Sequence, residues 1–201
     1  MFTLIEAAGW PIYLLLIASL VAVTLITERT LYLRRPKIVP PKLIDQVVQE
    51  LKERGVSQQM LTKLSEGSPL GKVFAAGLKN IKSSPEVMKE SVEEAGRGAA
   101  HDLERFLTTL GTIASISPLL GLFGTVIGMI EIFGSQNAGG AAPAELAHGI
   151  SVALYNTAFG LIVAVPSMIA YRHFRSRVDS LTIEMEQQAI KLVEVVHGER
   201  K

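Results

Sequence analysis

Three polar side chains lie inside long uncharged stretches of this sequence and are the residues best placed to do chemistry: Thr125, Asn156 and Thr157. Hydroxyl and amide groups at bilayer depth must find hydrogen-bond partners, and such groups tend to mark ion or substrate pathways. A threonine in a helix usually donates to the carbonyl four residues earlier, here Gly121 or Ala153. The Asn156 amide cannot be satisfied by its own helix alone, so we expect it to face a partner or water.

Patterns typical of enzymes and metal sites are absent from the sequence. The segment from Gly67 to Lys72 resembles a phosphate-binding loop. However, three residues instead of four separate Gly67 from Gly71, and Val73 follows the lysine where the motif requires Ser or Thr. No Asp lies in the uncharged stretches, so paired-carboxylate or nucleophile-and-base catalysis is not predicted. Four scattered histidines and the lack of cysteine give no metal-ligand spacing. We therefore predict neither an enzyme nor a bound cofactor.

The uncharged stretches are long enough to cross a membrane as helices. They run from Ala7 to Thr27, from Phe106 to Ile130 and from Leu146 to Tyr171, with 21, 25 and 26 residues. At 1.5 Å per residue, each can span a hydrocarbon core of about 30 Å. Core helices of soluble proteins seldom exceed about 20 residues and keep a polar face. The sequence therefore predicts an all-α membrane protein with three transmembrane helices.

Small residues form a stripe along the second and third stretches when each is laid out at about 100° per residue. Gly124 and Gly128 have the spacing that lets helix backbones approach closely in lipid. We predict that most of the stripe serves helix packing. Its members are Ala114, Ser117, Gly121, Gly124 and Gly128 in the second stretch, and Gly149, Ala153, Gly160 and Ala164 in the third.

All 20 lysines and arginines fall on one side of the predicted membrane. Residues 28–105 hold 14 of them and residues 172–201 hold 6, whereas the N-terminal tail and residues 131–145 hold none. Because Lys and Arg near the ends of spans stay in the cytoplasm, we predict that the N-terminus is outside and the C-terminus inside. Only Glu6 precedes the first stretch as a charge, so no basic signal-peptide region is present and the first span should stay attached.

The uncharged stretches and the distribution of basic residues together predict seven segments. They are a periplasmic tail (1–6), a first transmembrane helix (7–31), a cytoplasmic helical domain (32–105), a second transmembrane helix (106–130), a periplasmic loop (131–145), a third transmembrane helix (146–171) and a cytoplasmic C-terminal helix (172–201).

Helix signals in the cytoplasmic part are local and clear. Leu43 begins an apolar-periodic run that Gly55 closes. Ser68 before Pro69 and Ser84 before Pro85 are typical of an N-cap followed by a first-turn proline. No breaker follows until Gly134, so we predict one uninterrupted helix from Pro85. The third span should also continue inward, because apolar residues recur every three or four positions at Val178, Leu181, Met185, Ala189, Leu192 and Val196.

Charged residues near the spans have interfacial interpretations. The 14 basic residues of 28–105 are interleaved with 11 acidic ones, which argues against a nucleic-acid surface. Arg34, Arg35 and Lys37 lie just inside the first span, and we predict that they contact anionic lipid headgroups. Glu131, at the outer end of the second span, is either a rim residue for proton entry or a solvated interfacial carboxylate.

Three parts of the sequence resemble the MotA/TolQ/ExbB family. Residues 117–129, Ser-Pro-Leu-Leu-Gly-Leu-Phe-Gly-Thr-Val-Ile-Gly-Met, are similar to the second-span signature of that family. Gly149-Ile150-Ser151, residues 156–161 and Ala164-Val165-Pro166 are similar to the third-span signature, and Ser68-Pro69-Leu70-Gly71 resembles a segment of the cytoplasmic domain. The three-span layout resembles the ExbB and TolQ branches, with ExbB the better match, because a four-span flagellar stator would be longer.

The resemblance implies a ring of five copies in the bacterial inner membrane around two single-span helices of the ExbD/TolR type. The partner's aspartate takes up and releases protons, and Thr125 and Thr157 match the family threonines that face it. Family members often have a glutamate where this chain has Val152, so the titrating group lies on the partner. The hydroxyl-only lining favours H⁺ over Na⁺. An ExbB-like chain would act with a TonB-like protein to energise outer-membrane transport.

Three other functions stay open from the sequence. A TolQ-like subunit, working with a Tol-type envelope protein, would use the same machinery for envelope constriction. A passive membrane scaffold would use the small-residue stripe for packing alone, and substituting Thr125 or Thr157 would then not affect transport. A transporter permease subunit would normally have more spans and a substrate site at the midplane.

Overall fold

The chain, described by a computed structural model over residues 9–134 and 143–198, is built from α-helices in that part. The described helices are α1 (Pro11–Tyr32), α2 (Arg35–Ile38), α3 (Leu43–Arg54), α4 (Gln58–Gly67), α5 (Pro69–Lys79), α6 (Pro85–Glu104), α7 (Leu107–Gly134) and α8 (Pro143–Val196). Three segments, within α1, α7 and α8, are long and apolar enough to cross a membrane. The prediction of an all-α protein with three transmembrane helices is confirmed.

The helices extend further at their outer ends than the uncharged stretches. α7 continues to Gly134 and α8 begins at Pro143, so both enter the segment that the sequence assigned to the periplasmic loop. The predicted tail, residues 135–142 of the loop and residues 199–201 lie outside the described residues. The helix of the third span continues beyond Tyr171 as predicted, because α8 is one helix of 54 residues.

Capping side chains fix several helix starts where the sequence predicted them. Ser68 Oγ accepts a hydrogen bond from the Gly71 amide at 3.0 Å, and Ser84 Oγ accepts one from the Val87 amide at 3.5 Å. Each bond satisfies one of the amides that the first turn of a helix leaves without an intrahelical partner. α3 ends before Gly55, whose φ of 69° suits a residue without a Cβ.

The helical segment predicted from Pro85 to Gly134 has the predicted extent, but a two-residue turn at Arg105 and Phe106 interrupts it between α6 and α7. Arg105 is extended at ψ 137°, and Phe106 is left-handed at φ 65°. A residue with a Cβ adopts the left-handed conformation at a cost of about 1–2 kcal/mol, so packing around the break must offset that cost. Leu107 resumes the helix and is buried.

The chain divides into two compact units. The first takes Met1–Glu28 and Phe106–His173, and the second takes Arg29–Arg105 and Phe174–Lys201. In the second unit, α5 packs against both α4 and α6. The core of that unit includes Phe74, Leu70, Leu78, Met88 and Leu103. Along the inner part of α8, the predicted stripe is buried at Val178, Leu181, Met185, Ala189 and Leu192.

Arg29 is a buried cation of the second unit that the sequence did not reveal as special. Its side chain is 3% exposed, it donates to the Leu103 carbonyl at 3.2 Å, and it lies 4.9 Å from the ring centroid of Tyr32. Leu103 is in the last turn of α6, where carbonyls lack intrahelical partners and the helix dipole is negative. The guanidinium therefore caps α6 and complements its dipole.

Candidate functional site

In the first unit, α7 and α8 run antiparallel and meet along their small residues. A Cβ added to Gly160 would lie 2.6 Å from the Ser117 carbonyl oxygen, and one added to Gly128 would lie 3.1 Å from the Ala153 Cβ. Residue numbers that rise along α7 therefore fall along α8. Larger side chains would force the helices apart, so these glycines permit close backbone contact within the membrane. We call this contact line the α7–α8 seam.

The glycines predicted for helix packing meet the opposite helix of this seam, as do Ser117 and Ala153. Ser117 and Ser167 are buried, and each hydroxyl donates to a carbonyl of its own helix at 2.7 Å. These serines are thus satisfied without a foreign partner. The buried members of the predicted stripe are Ala114, Ser117, Gly121, Gly124, Ala153, Gly160 and Ala164, and the half-buried members are Gly128 and Gly149.

Asn156 lies in the seam itself. It is 1% exposed, and a Cβ on Gly124 would be only 2.6 Å from the Asn156 side-chain carbon Cγ. A Cβ on Gly121 would be 2.7 Å from the Asn156 carbonyl oxygen and 3.0 Å from Thr157 Cα. Gly121 and Gly124 of α7 therefore contact α8 at Asn156 and Thr157. The structure places Asn156 between the two helices of one chain.

Thr125 and Thr157 flank the seam at one level. Thr125 follows Gly124, Thr157 follows Asn156, and Gly124 and Asn156 face each other. One residue step turns the chain by about 100° around the helix axis. Because the helices run in opposite directions, these two steps turn both hydroxyls to the same side of the pair. Both threonines are half-buried, as expected for positions at the edge of a helix contact.

The Thr125 hydroxyl does not bond the predicted Gly121 carbonyl. It donates instead to the Leu122 carbonyl, three residues earlier, at 2.6 Å. That bond uses the single hydroxyl proton, whereas both oxygen lone pairs remain able to accept. In this arrangement Thr125 can accept a hydrogen bond from a protonated acid.

Exposed leucines surround the two hydroxyls. Helical spacing puts Leu122 on the same side of α7 as Thr125, and Leu154 and Leu161 on the same side of α8 as Thr157. These leucines are 55%, 58% and 48% exposed. We call Thr125, Thr157 and the three leucines the hydroxyl face. An open groove continues outward along α7 from Thr125, lined by Val126, Met129, Ile130, Phe133 and Gly134.

The residue before α1 contacts α7 on the side away from Thr125. Trp10, next to the start of α1, meets Phe123 edge to face, with ring centroids 6.0 Å apart and planes at 75°. Phe123 precedes Thr125 by two residues, which places it about 160° away around the helix. Within the described part of the first unit, this contact leaves the hydroxyl face exposed.

Two further positions raised by the sequence lie near this site. Glu131 is exposed near the outer end of α7, as both of its interpretations require. Val152, at the position of the family glutamate, is half-buried on α8. The part of α8 from Leu146 to Tyr171 contains no carboxylate. Any acid that meets the hydroxyl face at this level must therefore come from another helix.

The fold and site together define a three-span helical membrane protein with a pair of hydroxyls on one side of two packed spans. The model of the MotA/TolQ/ExbB proton channel family matches residues 65–187, more than half of the sequence. The chain belongs to this family.

Curated relatives carry names from two branches of the family. The chain is 31% identical over 161 residues to the putative biopolymer transport protein ExbB-like 3 of Synechocystis sp., covering 79% of this chain and 77% of the relative. It is 32% identical over 167 residues to the biopolymer transport protein exbB1 of Vibrio cholerae, covering 80% and 71%. It is 37% identical over 126 residues to the Tol-Pal system protein TolQ of Pseudomonas aeruginosa, covering 57% and 54%, so the match spans about half of TolQ.

Proposed function

We propose that this chain is the wall subunit of a motor driven by the proton-motive force, and that its hydroxyl face meets the membrane helix of an ExbD/TolR-type partner. One observation carries the proposal: Thr125 and Thr157 lie at one level on the same side of the α7–α8 pair. Around them the surface is leucine, and α8 supplies no carboxylate at this depth. The arrangement suits an acid that arrives on a foreign helix.

The physical mechanism follows from the cost of a charge beside leucine. An ionised carboxylate on the partner helix is stabilised by polar groups and is expensive to move across an apolar surface in the membrane. When it is protonated, the acid can donate to the Thr125 or Thr157 oxygen, and its helix can also pass Leu122 and Leu154. Each proton that crosses supplies about 2.3 kcal/mol per 100 mV of membrane potential.

In the proposed assembly, five copies form a ring in the bacterial inner membrane around two partner helices. We assign the chain an ExbB-like role with a TonB-like envelope protein, energising outer-membrane transport. The support is that two ExbB-named relatives match 79% and 80% of this chain; two others match 40% and 35%, and the TolQ of Pseudomonas aeruginosa matches 57%. A TolQ-like role in envelope constriction is the alternative, with a Tol-type envelope protein in place of the TonB-like one.

Substitution of the threonines tests the proposal directly. Thr125→Val and Thr157→Val keep the side-chain shape and remove the hydroxyl, so we expect proton flux through vesicles containing the chain and its single-span partner to fall by about tenfold or more. Thr112→Val is the matched control. Thr112 is an exposed threonine of the same helix, its hydroxyl donates to the Thr108 carbonyl at 2.9 Å, and helical spacing puts it on the side away from Thr125.

Two outcomes would contradict the proposal. If both valine variants conduct like the unsubstituted chain, the threonines serve packing alone and the chain is a scaffold. If Thr112→Val reduces flux as strongly as Thr125→Val, the effect does not belong to the hydroxyl face. Cysteines placed at 125 and 157 give a second readout, because the chain has no others and crosslinks to the partner helix are then specific.

Lipid contact near the first span is a separate part of the proposal. Arg34 and Lys37 are exposed, whereas Arg35 is engaged by Glu184. We therefore assign headgroup contact to Arg34 and Lys37, with Arg35 serving the fold. Support comes from their place just after α1, where basic side chains meet the anionic cytoplasmic leaflet.

A further inference from the structure

Asn156 is the largest polar side chain that the first unit buries in the α7–α8 seam. It is 1% exposed, and its neighbours across the seam are glycines. Burying an amide between helices at bilayer depth costs free energy unless it is hydrogen-bonded, a demand that an alanine would not impose. The residue lies next to Thr157 in sequence and opposite Gly124, the residue before Thr125.

The Asn156 side chain occupies a notch in α7, which is the space beside Gly124 where another residue would have its Cβ. A Cβ on Gly124 would lie 2.6 Å from Asn156 Cγ, 2.7 Å from its Cβ and 3.0 Å from Nδ2, so only glycine accommodates the amide there. About one turn before Gly124 on α7, a Cβ added to Gly121 would lie 2.7 Å from the Asn156 carbonyl oxygen. Sliding α8 along α7 by one residue, about 1.5 Å, would move the amide out of this notch.

We infer that Asn156 is a positioning residue: seated against Gly124, it fixes the register of α7 and α8 and thereby holds Thr125 and Thr157 at one level. It does not itself line the proton path. The consequence for proton flux rests on the proposed function, whereas the consequence for helix register does not. The two parts can therefore fail separately.

Register is measured by the distance between spin labels on Leu122→Cys and Leu154→Cys. Both leucines are exposed, both lie on the hydroxyl face, and the chain has no other cysteine. Flux is measured on matching proteins without labels, reconstituted with the single-span partner. Thermal unfolding in detergent shows that each variant folds. Ser167→Ala is the control, because Ser167 is equally buried on α8 but donates to its own Val163 carbonyl.

Four variants separate the notch from the amide. Gly124→Ala fills the notch, so α8 should be displaced along α7 by about 1.5 Å, the rise of one residue, which shifts the label distance, and flux should fall about tenfold. Asn156→Ala empties the notch and should broaden the label distances. Asn156→Leu keeps the bulk and should retain the distance and the flux. The double variant Gly124→Ala with Asn156→Gly recreates the Gly–Ala pairing that Gly128 and Ala153 already make, and should restore both readouts.

Three other outcomes overturn the inference. If Gly124→Ala leaves the label distance unchanged, Asn156 does not set the register. If Asn156→Leu loses flux at an unchanged distance, the amide itself takes part in conduction. If the double variant folds but keeps the shifted distance of Gly124→Ala, the notch is not the determinant. If the unsubstituted chain and its partner conduct no protons, the proposed function fails, and the label distances alone still decide the role of Asn156.

Discussion

Glu184 and Arg35 form a two-pronged ion pair in the second unit. Arg35 Nε donates to both carboxylate oxygens, at 3.0 and 2.9 Å, and Nη2 donates to one of them. The hydrogen bonds from Arg35 hold the pKa of Glu184 below its ordinary value, against a smaller opposing effect of burial. Glu184 is 24% exposed and Arg35 is 57% exposed, so solvent screens much of the attraction.

The pair should contribute to stability only above a limiting pH. A carboxyl group with a lowered folded-state pKa stabilises the fold above its unfolded pKa and loses that contribution as pH falls through the folded value. Glu184→Gln should lower the thermal midpoint of the full chain in detergent at pH 7, by about 2 °C or less. The two proteins should converge as the pH drops below the ordinary Glu value of 4.5.

Glu186→Gln is the matched control, because Glu186 is an exposed glutamate two residues further along α8. It should not change the acid limb of the stability curve. A midpoint difference between Glu184→Gln and the unsubstituted chain that does not shrink as the pH falls below 4.5 would contradict the assignment, because protonation of Glu184 progressively removes the ion pair.

For single residues, the sequence was enough to select candidate side chains by type, but it did not reveal which residues surround them in the fold. Thr125 and Thr157 stood out because a hydroxyl in an apolar stretch is visible in one dimension. Asn156 was expected to meet a partner or water, and its seat against Gly124 depends on a helix 32 residues away. The capping of α6 by Arg29 is likewise invisible, since the partner carbonyl of Leu103 is 74 residues distant. Contacts of this kind follow from packing, which no local pattern encodes.

Helices were predictable where their signals are local. Ser68 with Pro69 and Ser84 with Pro85 marked two starts, because a cap bonds an amide three residues away. The break at Phe106 had no such signal. Left-handed residues are usually glycine or asparagine, and a phenylalanine adopts that conformation against its own preference. The sequence therefore predicted the helices on either side and missed the interruption.

The left-handed backbone of Phe106 can be tested by comparing two replacements. Phe106→Gly and Phe106→Ala both remove the ring, but only glycine adopts a φ of 65° without cost. We expect the glycine variant to be more stable than the alanine variant by about 1 kcal/mol, measured by unfolding of the full chain in mixed micelles.

Glu93, exposed in the middle of α6, gives the reversed control. Glu93→Gly should be less stable than Glu93→Ala by about 1 kcal/mol, because a helix interior favours alanine. If the alanine variant is also the more stable one at position 106, the residue is helical in solution and α6 continues into α7 without a break.

At the scale of the molecule, charge is sorted more strictly than any other property. All 20 basic residues fall within 28–105 and 172–201, and the net charge of +1 conceals this segregation. Hydropathy and charge were therefore enough to predict the number of spans, which the three long apolar helices confirm. The same two properties predict the orientation, because cytoplasmic retention acts on Lys and Arg near the ends of spans.

Orientation can be measured with single cysteines, since the chain has none of its own. Glu131→Cys and His148→Cys replace exposed residues near the outer ends of α7 and α8, and Lys37→Cys and Lys191→Cys replace exposed residues on the predicted inner side. In intact spheroplasts, a membrane-impermeant maleimide should label the first pair and spare the second. After the membrane is opened, all four should react, which shows that the spared sites are accessible. Labelling of position 37 or 191 in sealed cells would show that the predicted three-span topology is inverted or wrong. The hydroxyl face would then meet the proton gradient from the opposite direction, and the interpretation of Glu131 as a rim residue for proton entry would fail.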